Sequence, residues 1–283
     1  MISKNKNTIV LVNRPEKHFV GSFYFKNIKT GIDLALDGTN YQIFFAQQDE
    51  HLAEILESRK QSIAGVIAIH PTINDKSIKL LEKENDVISI LINCRSNKLS
   101  WVDLDNVRGA MTMTEHLIKL GHEKILFIGG FLESQNNIDR FKGFQKALEK
   151  YRIKFDPKLN LTCDFGVTIA YDRMKEFLAG GRKDFTAIFA ANDLMAVGAI
   201  RALVDFNLKV PEDIAVVGFD DFDFAATFYI PLTTYKQPFH NLGYIATRSV
   251  IRALETNNRV LQHVELIGEI VIRRSCGARK SNG

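Results

Sequence analysis

A chain of 283 residues suggests one large or two ordinary domains, because domains commonly run to about 100–200 residues. A composition of 46% hydrophobic and 25% charged residues is that of a globular protein with a sizeable core, and no apolar run approaches the roughly 18 residues needed to span a bilayer. A net charge of +4 with both signs interspersed argues little for nucleic-acid binding, and the one basic cluster, Arg273 to Lys280, reads as a solvated tail.

In chain order, short apolar runs alternate with helical patterns, the signature of βαβ units and parallel sheets. Strands are expected at Thr8–Val12, Tyr41–Ala46, Ala64–Ile69, Val87–Ile92 and Lys124–Ile128. The helical segments between them fall near Tyr24–Leu36, Glu50–Lys60, Asp75–Glu84 and Asn106–Leu120, the last closed by Gly121 as a C-cap. From Phe131 to Asn137 the chain turns polar and unpatterned, which makes this break the expected first crossing between two lobes. A second block follows, with helices near Arg140–Lys150, Thr168–Leu178 and Asp193–Phe206 and strands near Leu159–Cys163, Thr186–Ala190 and Ile214–Gly218.

The most informative stretch is NDLMAVGAIRALVDFNLKVPEDIAVVGFDD, Asn192 to Asp221. Asp193 can cap a helix whose apolar positions Met195, Val197, Ile200, Leu203 and Val204 recur at helical spacing. Pro211 forbids continuation, Ala215-Val216-Val217 reads as a buried strand, and Asp220 and Asp221 fall just past its carboxyl end, where open α/β sheets bind ligands. Three cysteines, Cys94, Cys163 and Cys276, are far apart with no CxxC, so reduced thiols are expected. The opening MISKNKN has no apolar signal region, which points to the cytoplasm.

This stretch resembles the LacI/GalR family of bacterial transcriptional regulators. The match continues in Asp105-Asn106 with Gly109-Ala110, in Leu120-Gly121-His122, in Arg140-Phe141-Lys142-Gly143-Phe144, in Leu232-Thr233-Thr234 with Gln237-Pro238, and in Ile272-Arg273-Arg274-Ser275. It covers nearly everything from about Thr8, and the helix-turn-helix and hinge helix that family members carry ahead of that point are not in the sequence. The resemblance implies two Rossmann-like lobes of the periplasmic binding protein-like type I fold with a ligand cleft between them. It places residues 8–131 plus 237–266 in one lobe, 132–236 plus 267–276 in the other, and 277–283 in a tail.

The resemblance also implies ligand contacts at Tyr24, Phe25, Asn93, Arg140, Phe165, Asn192, Asp220 and Gln237. Their chemistry suits a sugar: Arg140 offers a fork of donors, Asp220 a fork of acceptors, Asn192 one of each, and aromatic faces cover the apolar side of a pyranose or a purine plane. The bland readings stand beside these. Tyr24 and Phe25 at helical spacing suit a core, Arg140 alone suits a surface, and Asn192-Asp193 suits a helix cap. Two adjacent buried charges are costly, so Asp220 is assigned to ligand and Asp221 to a structural or solvated role. Where many family members have an Asp-Arg pair after the fourth strand, this chain has Asn93-Cys94-Arg95, a departure that sets it apart from ordinary monosaccharide sites. Trp101 is expected in packing or a dimer contact.

No GxSxG, Walker loop, HExxH or GxGxxG frame is present, the seven histidines are scattered, and Gly129-Gly130 more often marks a turn than a phosphate cradle. No enzyme activity, metal or cofactor is expected. The expected protein is the effector-binding core of a homodimeric LacI-type regulator, sensing a sugar or sugar derivative ahead of a purine, and meeting operator DNA only through a helix-turn-helix outside this sequence. The alternative is the solute-binding protein of a sugar transporter.

Overall fold

The computed structural model describes residues 6–13, 20–47, 49–59, 61–69, 76–182 and 184–277, and the chain divides into two compact units. Unit 1 comprises Met1–Leu104 and Pro238–Leu266, and unit 2 comprises Asp105–Gln237 and Ile267–Gly283.

Unit 1 is a six-stranded parallel sheet built from β1 (Thr8–Asn13), β2 (Gln42–Gln47), β3 (Ile63–Ile69), β4 (Ile88–Ile92), β5 (Ser100–Leu104) and β11 (His263–Leu266), in the order β11-β5-β4-β3-β1-β2. β3 reads IAGVIAI and is buried at every position, as a central parallel strand covered on both faces must be. The helices are α1 (Val20–Leu36), α2 (Asp49–Ser58), α3 (Lys76–Leu81) and α9 (Phe239–Thr256). The helices α2 and α3 lie about where the sequence puts them; Lys60 and Asp75, the outer ends expected of them, fall outside the described residues.

The helices α1 and α9 touch backbone to backbone. A Cβ on Gly31 would lie 2.0 Å from the His240 carbonyl oxygen, and one on Gly243 would lie 2.1 Å from that of Ile28. Gly243→Ala is therefore expected to push the helices apart and lower stability by about 1–3 kcal/mol, read as a lower urea midpoint. An unchanged midpoint would show that the pair separates freely.

Unit 2 is a four-stranded parallel sheet of β6 (Ile125–Gly129), β7 (Asn160–Thr162), β8 (Ala187–Ala190) and β9 (Ala215–Val217), ordered β7-β6-β8-β9. Its helices are α4 (Asn106–Lys119), α5 (Gln135–Lys150), α6 (Val167–Ala179), α7 (Asp193–Asp205) and the short α8 (Asp223–Thr227). An antiparallel pair of β10 (Thr234–Lys236) and β12 (Glu269–Val271) completes it.

The expected first boundary, between 131 and 132, is corrected to Leu104/Asp105. The physical reason is pairing: β6 joins β7 and β8 rather than the first sheet, and α4 packs on α5, so both belong to unit 2. The segment from Phe131 to Ser134 is a turn within that unit, not a crossing. The second crossing falls at Gln237/Pro238, one residue later than expected, and leaves Gln237 in unit 2. β5 and α8 were not among the elements expected from the sequence. Trp101 on β5 stacks on His263 of β11, with ring centroids 4.9 Å apart, a packing role within the sheet.

Candidate functional site

In unit 1, Asn93 follows the carboxyl end of β4 in a left-handed conformation, φ +56°, that asparagine tolerates better than most residues. It is 1% exposed, its Nδ2 donates to the Tyr24 hydroxyl, and its Oδ1 is buried without a hydrogen-bond partner. Tyr24, in the first half of α1, meets the Phe239 ring edge-on at 5.4 Å. The structure thus brings Tyr24 and Asn93 together. Phe25 instead packs against Phe45 of the edge strand β2, at 6.1 Å. Arg95, which could have stood in for a charged fork beside Asn93, is held by Asp103 at 2.6 Å and Glu265 at 2.8 Å, while Cys94 is buried.

In unit 2, three of the expected residues converge past the ends of β8 and β9. Arg140 on α5 is 3% exposed; its Nε donates to Asn106 Oδ1 at 2.9 Å and its Nη1 to the Ala191 carbonyl at 2.5 Å. Its guanidinium lies 4.0 Å from the Phe219 ring centroid, and Nη1 lies 3.6 Å from Asp220 Oδ1. Gln237 Nε2 donates to the same Asp220 oxygen at 2.5 Å. The amide is oriented with Nε2 towards Asp220, which leaves Gln237 Oε1 buried without a partner.

Burial pushes the Asp220 carboxyl up to about 7, against the opposing pull of the Arg140 charge and the Gln237 hydrogen bond. Asp193, fully buried, is raised well above the usual carboxylate range, first by burial and then by the neighbouring Asp220. The expectation that Asp193 caps α7 is corrected: the cap is Asn192, whose Oδ1 accepts from Met195 N at 2.9 Å. Asp193 accepts from Phe222 N at 3.0 Å and from the Thr234 hydroxyl at 2.5 Å. It thereby braces the Asp220-Asp221 turn, where both residues hold positive φ (+124° and +59°), a strained backbone that needs such support. Asp221 pairs with Arg273 at 2.7 Å, in keeping with its expected structural role.

Asn192 is spent twice on structure, since its Nδ2 also donates to the Phe165 carbonyl at 3.0 Å. Phe165, at φ +67°, meets Phe131 edge-on at 6.0 Å. Gly130 is occupied rather than open to a phosphate: its N–H donates to Asn137 Oδ1, and any Cβ there would lie 2.3 Å from the Phe165 ring. Sequence reasoning missed Asn106, Asn136, Phe131 and Phe219. Only the Asn136/Arg140 spacing, four residues apart on one helix face, could have signalled a shared cluster.

The comparisons with known proteins bear on the fold and the family. A family model described as a periplasmic binding protein-like domain matches residues 114–276. The HTH-type transcriptional regulator RegA of Clostridium saccharobutylicum is 33% identical over 260 residues, which span 88% of this chain and 77% of RegA. Among solved structures, a complex of the transcriptional regulator CelR with cellobiose superposes with a TM-score of 0.87 at 25% identity, over 97% of this chain and 86% of that one. The transcription regulator CcpA of Lactococcus lactis superposes with a TM-score of 0.83 at 26% identity, over 95% of this chain and 99% of that one. These relatives are regulators and not enzymes, and they give no support to a transporter component. A family model over more than half the chain and a relative this similar over most of both lengths, with a solved LacI transcriptional regulator superposing at a TM-score of 0.88 and 26% identity, together show that the chain belongs to the LacI family of transcriptional regulators and forms its effector-binding core.

Proposed function

We propose that the chain senses a neutral, hydroxyl-rich small molecule, a sugar rather than a sugar phosphate. The observation that carries this is Gln237 Oε1, an acceptor left buried and unpartnered because Asp220 claims the other end of the amide. Asn93 Oδ1 in unit 1 is a second such acceptor. A leftover buried acceptor is satisfied by a ligand that brings donors, as hydroxyls do, and is repelled by a phosphate that brings only oxygens. Arg140, Asp220 and Gln237, all in unit 2, are the proposed effector contacts; Tyr24 and Asn93 are a separate polar pair within unit 1. Phe165 and Phe131 offer apolar cover, while Phe25 and Asn192 serve mainly as packing and helix cap.

The protein so read is a cytoplasmic homodimeric regulator without catalytic activity. Its effector shifts a pre-existing equilibrium between states of different operator affinity, and it can do so only by as much as it binds one state better than the other. CelR is a relative whose complex holds cellobiose, which supports a carbohydrate effector here.

The test is a series of thermal melts with millimolar cellobiose, glucose and ribose, set against glucose and ribose phosphates. A neutral sugar should raise the melting temperature; at a hundred times its Kd the gain is about 2.7 kcal/mol. Stabilisation by the phosphates alone, or by no member of the panel, would sink the neutral-sugar reading.

A further inference from the structure

The Arg140–Asp220 pair is held from outside by two carboxamides, and each stands at a place where the chain passes between units. Gln237 is the last residue before the second crossing and holds Asp220. Asn106 comes two residues after the first crossing, opens α4 directly behind the helix cap Asp105, and holds Arg140.

Asn106 is completely buried, so its amide must be satisfied by protein groups. Its Oδ1 accepts from Arg140 Nε at 2.9 Å, and its Nδ2 donates to Asn136 Oδ1 at 3.3 Å. The orientation cannot be inverted: a guanidinium only donates, so the oxygen must face Arg140 and the nitrogen Asn136. Asn136 and Arg140 are one helical turn apart on α5 and share a face, so one side chain of α4 addresses both. With Nε on Asn106, Nη1 on the Ala191 carbonyl and its face on Phe219, the long Arg140 side chain is held in one rotamer. A guanidinium locked in this way meets a ligand without first losing rotamer freedom, the saving that preorganisation provides.

We propose that Asn106 is a positioning residue that sets the Arg140 guanidinium against Asp220 and thereby shapes the effector site. The inference rests on the reading of Arg140 and Asp220 as effector contacts, and it needs no ligand to be tested. The Asp220 titration serves as the reporter, because the Arg140 charge lowers it.

The experiment is a carboxyl 13C NMR titration of this chain labelled at aspartate, with the Asp220 resonance assigned as the one lost in Asp220→Asn. It is run on wild type, Asn106→Leu, Arg140→Leu and the double variant, leucine sharing the branched outline of asparagine without its polar atoms. Arg140→Leu should raise the Asp220 midpoint by about 1 unit or more, the usual effect of removing a nearby opposite charge. Asn106→Leu should produce a measurable part of that rise, and the double variant should match Arg140→Leu alone, because Asn106 acts through Arg140. If Asn106→Leu titrates as wild type while Arg140→Leu is raised, or if the two effects add, the positioning role is overturned. If Arg140→Leu itself leaves Asp220 unmoved, the charge pair fails and the proposed effector site fails with it. Should Asn106→Leu not fold, Asn106→Ser reads the same titration with a smaller side chain that cannot reach Arg140 Nε, under the same criteria.

Discussion

Arg140→Leu is expected to lower stability by about 3–5 kcal/mol and to weaken sugar binding by more than tenfold, the range typical when one partner of a buried charge pair is removed. Leucine can still cover part of the Phe219 ring, but it abandons three acceptors at once: Asn106 Oδ1, the Ala191 carbonyl and Asp220 Oδ1. The carboxylate is the costly one, because it is 4% exposed and its charge is then opposed only by the Gln237 amide. Protonation offers relief, since burial already holds Asp220 near 7 and loss of the arginine pushes it higher. The stability deficit should therefore be larger at pH 8 than at pH 6. Urea denaturation at the two pH values, with sugar titrations alongside, reads both effects. A variant with wild-type midpoint and affinity would show that Arg140 carries neither fold nor site.

The arrangement that makes Arg140 so sensitive is partly legible in the sequence. The run from Asn192 to Asp221 fixes strand, helix and strand by apolar period and by Pro211, and the structure has β8, α7 and β9 there. Arg140 and Asp220 were legible only through the family resemblance, since Arg140 alone suits a surface and nothing in the sequence sets it beside Asp220. What stayed hidden are relations between distant residues. Asn106 and Asn136 are 30 positions apart and meet only because α4 packs on α5. The first crossing was misplaced for a related reason. A stretch that reads as unpatterned in the sequence, such as Phe131–Asn137, looks like a boundary, whereas the real one at Leu104/Asp105 follows a fully regular strand and leads straight into a capped helix. Pattern marks where regular structure stops, and a chain that crosses between units within regular structure leaves no such mark. Asn192 and Asp193 show the limit at finer grain: both suit a helix cap, and only the position of Thr234, 41 residues downstream of Asp193, decides that the aspartate braces a loop instead.

The second large effect expected is a pH dependence that Asp220→Asn removes. In the unfolded chain Asp220 titrates near 3.8, whereas in the folded unit burial lifts it to about 7. Between those values the folded state keeps a proton that the unfolded state has released. Stability contributed by this group is therefore complete below about pH 4 and lost as pH rises towards 7, at up to about 1.4 kcal/mol per unit. Asp193, raised by the same burial, acts in the same direction. Asparagine has the shape of the protonated acid and no titration, so the stability of Asp220→Asn relative to wild type should climb between pH 4 and 7 and level off above. Sugar binding should behave in the opposite way. Hydroxyl donors favour the ionised carboxylate, so wild-type affinity rises with pH through the same window, by at most about tenfold per unit, while the asparagine variant binds more weakly and with a flat profile. Urea midpoints and calorimetric titrations at half-unit steps from pH 5 to 8.5 measure both. Parallel stability curves for the two proteins would mean that Asp220 is ionised throughout, kept so by the Arg140 charge and the hydrogen bond donated by Gln237.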